Sequence, residues 1–332
     1  MLSILNSGKI TLLFRSLSVM SIFIKPHHRG KSNKGQQGNI LMKKHFLGCL
    51  FFLGILLSNA QTPDLVRLEY TVIPENDSGI QTSRYRAVLN APLKLSDRDD
   101  YFVIGGEYNE YHFDVNRPLP FESNSLETLH IIDLNLGYTF KVTEDWRFIA
   151  AIVPRLASNF EIGIENNDFR LNASVAFMKE RKNIDKPYRF VFGLSYNSAT
   201  GLPFPLPLLN YNKRFHPNWS YSVGVPRWDI KYHSDNKKHV TQAALFLDGY
   251  FVNIQNDVLL PNDVVGTSIS LSALVSAVGY QYKFTKEISV YGLVGYSLVQ
   301  EGLIRDGNRN RAFILNNQGN IYLRTGFKIG IF

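Results

Sequence analysis

The chain has 332 residues, a formal charge of +8 and one cysteine. The excess charge sits in residues 1–60, which hold eight Lys or Arg and no Asp or Glu, while residues 61–332 balance 28 basic against 28 acidic side chains. A neutral body argues against a basic nucleic-acid binder, and a single cysteine excludes a disulfide framework.

Taken from the N-terminus, residues 1–41 combine an apolar stretch (10–24, broken by Arg15) with the polar, basic linker PHHRGKSNKGQQGN. They read as a disordered upstream extension or start-site artefact, with a long leader as the alternative. The next stretch, 42–60, is MKKHFLGCLFFLGILLSNA. Lys43 and Lys44 make a positive n-region, 46–57 an apolar h-region, and Ser58-Asn59-Ala60 a small-x-small cleavage site. This is the pattern of a secretory signal peptide, too short for a membrane-spanning helix. Cleavage would leave Gln61 first. Gly48-Cys49 hints at a lipoprotein box, but much of the apolar core follows Cys49, so Cys49 reads as an ordinary apolar residue.

From Gln61 onward the pattern has period 2 almost throughout, the signature of strands. The spacing predicts strands at 65–73, 80–93, 101–113, 127–141, 146–153, 168–179, 188–198, 206–215, 219–225, 227–233, 239–254, 266–284, 288–302 and 319–331. That is fourteen. Refusing the split at Pro226 gives thirteen, which the even-number rule of bacterial barrels disfavours, and losing another weak strand gives twelve. Tight charged turns (94–100, 141–146, 213–219, 283–289) alternate with longer Gly-, Pro- and Asn-rich loops (114–125, 154–167, 199–207, 253–265, 303–318). The segments IVPRLASNF (152–160) and GVPRWDIKY (224–232) look alike, and we read them as two strands bent at proline.

A β-sandwich also alternates, so the environment of the two faces must decide. Arg67, Glu69, Arg84, Arg86, Glu107, Asp133, Arg147, Asp168, Arg170, Arg189 and Asp248, with Arg324 and Lys328, fall on the polar faces of predicted strands. A dry core would make each costly unless paired, whereas a lumen accepts charges of both signs. Aromatic pairs gather near strand ends, as in interfacial girdles: Tyr101 and Phe102, Tyr138 and Phe140, Trp146 and Phe148, Tyr188 and Phe190, Trp219 and Tyr221, Tyr280 and Tyr282. The expected fold is all-β, a single antiparallel transmembrane β-barrel of 12 to 14 strands over 61–332, reached through an N-terminal signal peptide.

The chain ends RTGFKIGIF. Arg324, Gly326, Ile329 and Ile331 resemble the C-terminal signal read by the barrel-assembly machinery, and Phe332 supplies a terminal aromatic, although it is in phase with Lys328 and not with the apolar face. With the signal peptide and the alternation, 61–332 resembles the uncharacterised outer-membrane β-barrel families, domains of unknown function, of Gram-negative bacteria. The resemblance implies the cell outer membrane as location, with outer-membrane lipid and the assembly machinery as partners, and says little about activity.

Chemistry is sparse. His112, His130, His216, His233 and His239 show no metal-ligand spacing, and Gly193-Leu194-Ser195-Tyr196-Asn197 lacks the second glycine of a nucleophile elbow. No cofactor, metal or catalytic residue is expected, and His130 remains as one candidate base for a Ser/His pair assembled across strands. The loop 201–209 is a constriction or a stiff connection over the rim; the basic loop 308–313 touches lipopolysaccharide phosphates or is simply solvated. The leading expectation is a channel or transporter for small solutes or lipidic molecules, with the substrate unknown. The alternative is a non-conducting structural or docking barrel working through its loops, and the third reading is a lipid-modifying enzyme.

Overall fold

The computed structural model describes residues 64–95, 99–197 and 205–330. The N-terminal extension, the signal peptide, residues 201–204 of the proline-rich loop, Ile331 and Phe332 lie outside the described residues. The strands are β1 (Val66–Ile73), β2 (Ile80–Lys94), β3 (Tyr101–Val115), β4 (Thr128–Lys141), β5 (Trp146–Ser158), β6 (Phe169–Arg181), β7 (Tyr188–Asn197), β8 (Leu206–His216), β9 (Trp219–Gly224), β10 (Arg227–His233), β11 (His239–Leu260), β12 (Val264–Lys283), β13 (Ile288–Arg305), β14 (Arg311–Asn316) and β15 (Ile321–Ile329). From β1 to β13 each strand pairs with the next, and β15 pairs with both β13 and β1, closing the ring. The short β14 pairs only with the outer end of β13, so β14 and β15 follow one another along a single stave. The result is a closed antiparallel transmembrane barrel of fourteen staves.

Alternation predicts the wall well because lipid and lumen differ along most strands. Leu89, Ile132, Leu134, Ile152, Leu194, Val278, Val294 and Leu323 all point outward and are exposed. A belt of rings runs along the short-turn end from β4 to β10 and recurs at the end of β12: Tyr138–Phe140, Phe140–Phe148, Phe148–Phe177, Phe177–Phe192, Phe190–Tyr211, Tyr211–Tyr221, Trp219–Tyr232 and Tyr282–Phe284, with centroids 5.0–6.4 Å apart. Tyr101 departs from this belt. It lies beneath the Arg147 guanidinium, 5.9 Å from ring centroid to Cζ.

The two prolines of the look-alike segments act differently. Pro154 lies inside β5, which runs on to Ser158; the β4–β5 ladder skips from Asp133↔Arg155 to Leu136↔Ile152. A proline lacks the N–H of a ladder bond but keeps extended backbone, so the strand survives with a gap. Pro226 instead sits in the connection between β9 and β10.

The wall is uneven. β11, β12 and β13 have 22, 20 and 18 residues, whereas β9 and β10 have 6 and 7. At ~3.4 Å per residue and a tilt near 40°, β9 and β10 rise only about 15–18 Å, short of the ~25 Å apolar band such a barrel presents. Trp228 faces outward, 53% exposed, four residues along β10 from Tyr232, which pairs with Trp219 in the aromatic belt. That offset puts its ring about 10 Å above the belt, inside the hydrocarbon. In a protein carrying Trp146→Phe and Trp219→Phe, fluorescence is therefore expected to be quenched most by lipids brominated deep in the acyl chain. Strongest quenching at headgroup depth would show that the wall here reaches full height.

Beyond Phe246, β11 has no β10 partner. It turns into the barrel, and its outer half with the start of β12 forms an inward arm. Residues 250–255 and 268–273 are buried on both faces. Ile254, Val258, Leu260 and Ile269 of the arm pack with Ile80, Tyr111, Phe113, Leu129 and Ile131 from β2, β3 and β4. Asn253 pairs with Ser158 of β5, across the ring from β11. The apolar row of β12 (Ile269, Leu271, Ala273, Val275, Ala277) thus faces the interior and not lipid.

Candidate functional site

The lumen is lined by β-strand positions whose side chains alternate inward, and its charges meet across the barrel interior. Asp248 of β11 is the hub. Arg84 of β2, five staves away by the shorter path, donates from Nη1 to Asp248 Oδ1 (3.0 Å) and from Nη2 to Oδ2 (3.3 Å). Arg324 Nη2 donates to the same Oδ2 (2.7 Å), and so does the Tyr322 hydroxyl (2.5 Å). The network continues down one wall: Arg86 bridges Glu69 (3.1 Å) and Glu107 (2.9 Å), and Tyr291 donates to Glu69. Opposite charges paired at this depth satisfy each other's hydrogen bonds, which is what a desolvated ion needs.

The space between is filled as well. Phe246 stands in the lumen with the guanidinium carbons of Arg227 and Arg324 each 5.3 Å from its ring centroid and the Tyr322 ring 5.7 Å away. Guanidinium planes stacked on an aromatic face exclude water from both partners. At the mouth, the arm is clasped by polar groups. Asn253 Nδ2 and Gln255 Nε2 each donate to the Asp168 carboxylate (2.8 Å), and Gln255 Oε1 accepts from the Ile162 amide (2.9 Å).

The eleven residues expected to line the lumen divide into three groups. Glu69, Arg84, Arg86, Glu107 and Asp248 meet in the central network, and Asp133 lies in the same wall, held by both donors of Arg155 (2.6 and 2.7 Å). Arg67, Arg147 and Arg189 sit toward the short-turn end, bonded to Asp64, the Asp99 carbonyl and Glu180. Asp168 and Arg170 are at the mouth, Asp168 closing a single 3-10 turn before β6 and not lying in a strand. Of the assembly-signal residues, Arg324 belongs to the network and Ile329 ends β15 opposite Val66. Gly326 makes room for Tyr291: a Cβ there would come within 2.6 Å of its ring. Arg155, Tyr291 and Tyr322 were not singled out as site residues. Arg155 lies beyond the expected strand 146–153, which stops before Pro154, although it keeps the inward phase of Arg147.

A model described as "Domain of unknown function (DUF6268)" matches residues 75–330. The chain belongs to this family. The DUF6268 match contains Arg84, Asp248 and Arg324, the transluminal triad, while Glu69 in β1 precedes it. No curated protein sequence matches the chain. Among solved structures the chain is similar to Pseudomonas putida OprB at high pH (9% identity, 92% of this chain and 100% of that one, TM-score 0.38). It is also similar to outer membrane phospholipase A from Escherichia coli (12%, 82% and 98%, 0.35) and to LpxR from Salmonella typhimurium (6%, 80% and 100%, 0.35). Likeness at this level carries no functional inference.

The DUF6268 barrel also brings hydroxyls to histidines. His130 Nδ1 is 2.9 Å from the Tyr108 hydroxyl, which donates to Glu110 Oε2 (2.8 Å). His112 lies between Thr128 Oγ1 (3.3 Å) and Asp114 Oδ1 (3.2 Å) on the outer face of β3 and β4. Ser220 Oγ is 3.1 Å from His233 Nε2 near the short-turn end. Ser195, the serine of the near-elbow string, is buried and bonds the Ala173 carbonyl (3.3 Å). Among the described residues no group of three His, Cys, Asp or Glu has metal-holding geometry.

Proposed function

We propose that the protein is an outer-membrane barrel that is sealed in its resting form and works through its closed, loop-bearing end, not as an open diffusion pore. One observation carries this reading: the outer half of the β11–β12 hairpin fills the lumen, packing on β2–β4 and pairing with β5. Beneath it, the Arg84–Asp248–Arg324 network and Phe246 occupy the passage. An apolar plug resists wetting, so an ion would have to shed its water to cross. The outward apolar face and the turn-end aromatic belt support a bilayer setting, and the short-turn end is the periplasmic one by the usual barrel layout.

A gated passage is the second reading. It is favoured by a cavity of about 400 Å³ at the short-turn end, lined by Lys141, Arg147, Met178, Glu180 and Arg181 among others, and by a seal made from the wall's own hairpin. Conductance separates the two. Residues 61–332, refolded and placed in a planar bilayer, are expected to stay silent over the voltage range that opens ordinary porins. Steady unit steps from the intact barrel would reject the sealed resting form. Steps appearing only after a solute is added would favour gating.

A further inference from the structure

The short-turn end of the lumen is uneven in charge. Around β5 and β7 its inward arginines are held, Arg147 by the Asp99 carbonyl and Arg189 by Glu180. From β8 to β15 the inward faces instead carry a cation on every second stave: Arg214 of β8, Lys231 of β10, Lys283 of β12 and Lys328 of β15. The register fixes this row. Ser220 of β9 stands opposite both Arg214 and Lys231, and Ser289 of β13 stands opposite both Lys283 and Lys328. Residues paired in this way share a face, and both serines are buried. The next residues along three of these strands, Phe215, Tyr232 and Phe284, are exposed on the lipid side.

Few carboxylates answer these cations. Among the described residues, Arg214 and Lys283 make no ion pair within 4.0 Å and no side-chain hydrogen bond. Lys283 is within electrostatic reach of Arg214 and of Lys328, both positive. Lys231 lies 3.6 Å from Asp229 Oδ2, but Arg227 Nε already donates to that oxygen at 2.8 Å. Lys328 feels Asp64 and Glu69 only from beyond 4.0 Å, and those carboxylates are taken by Arg67 and by Arg86 and Tyr291. Its ammonium lies 6.0 Å from the Tyr291 ring centroid. Like charges set around one concave wall repel one another, and an anion between them would relieve that repulsion. Staves are ~4.8 Å apart, so successive cations start about 10 Å apart along the wall. One compact oxyanion does not span such a row, whereas a molecule with separated charges does. Lysine ammoniums act as point charges and ask for no forked partner.

We propose that Arg214, Lys231, Lys283 and Lys328 form a binding site, at the short-turn end of the lumen, for a small hydrophilic anion bearing two or more carboxylates. Arg214 and Lys283 are its principal contacts, because neither has a carboxylate of its own. Ser220 and Ser289 are small enough to leave room over the wall between the cations. Lys231, Lys283 and Lys328 are half-buried and Arg214 is exposed, so the site opens toward the turns and not toward the arm. This inference stands apart from whether the barrel conducts.

The probe is citrate, titrated calorimetrically at pH 7 into the purified protein in zwitterionic micelles, with ionic strength held constant by chloride. Saturable binding is expected, with none for acetate, which carries one charge. Lys283→Gln and Arg214→Gln are each expected to weaken citrate about tenfold, the usual effect of losing one charged contact. Lys182→Gln, in the turn after β6 on the opposite half of the same end, is expected to bind as the unaltered protein does. Folding of each variant is checked by its heat-dependent gel shift, and the exposed Arg214→Gln serves if Lys283→Gln fails that check. Inorganic phosphate binding as tightly as citrate would overturn the need for separated charges. Absence of saturable citrate binding, or equal affinity in the Arg214→Gln and Lys182→Gln proteins, overturns the site.

Discussion

Asp248→Ala is expected to be the most damaging single substitution in the lumen, lowering stability by about 3–5 kcal/mol, the usual cost of breaking a buried ion pair from one side. Asp248 accepts from Arg84, Arg324 and Tyr322 at once. The side chains of Arg84 and Arg324 are only 9% and 11% exposed, so water cannot replace the lost carboxylate. Alanine therefore leaves two buried cations facing each other. Arg84→Met together with Asp248→Leu is expected to cost less than the two single changes added, because the Arg84 charge goes with its partner and Arg324 keeps Glu69 at 3.9 Å. Urea unfolding of the vesicle-bound protein, followed by tryptophan fluorescence, reads both quantities. A loss under ~1 kcal/mol for Asp248→Ala, the range of an exposed pair, would mean that the lumen is wet at this level.

The wall of this barrel is legible in sequence to a degree its contents are not. A strand between lipid and lumen must change polarity at every residue, and β2, β4, β7 and β15 do so with boundaries within a residue or two of those expected. Pro226 does separate two strands, because the connection there reverses the chain, whereas β5 runs past its expected end at 153, because the missing N–H of Pro154 costs one ladder bond and not the strand. The arm escaped notice for a different reason. Residues 250–255 are buried on both faces, so their period-2 signal no longer reports which side is lipid. Serines 268, 270 and 272, which alternate with the apolar row of β12, are buried beside the arm. β14 escaped too: its only partner is the outer end of β13, and no local pattern announces so short a pairing. The charge network shows the same division. Inward phase placed Arg84 and Asp248 on lumenal faces, but their meeting across the barrel depends on lumen width and on Phe246, neither of which alternation encodes.

Removing the tip of the arm is expected to turn a silent barrel into a conducting one. Asn253 pairs with Ser268, so residues 254–267 can be replaced by Asn-Gly, a two-residue turn that suits the twist of a hairpin. The replacement removes Ile254, Val258, Leu260 and the Gln255 clasp, and keeps Asp248, Phe246 and Phe251. Each fully buried aliphatic side chain contributes about 1.5–3 kcal/mol to holding the arm against β2–β4, so the intact arm should open rarely. The layer below is a weaker barrier. Its groups are charged, and water that reaches Asp248 and Arg324 finds hydrogen-bond partners, whereas water among Ile254, Leu129 and Ile131 finds none. Unit conductance steps from the shortened protein, against silence from the intact one, would locate the seal in the arm. Silence from a shortened barrel shown to be folded would assign the seal to the Phe246 and Asp248 layer, and adding Asp248→Ala to the shortened chain should then be what opens it.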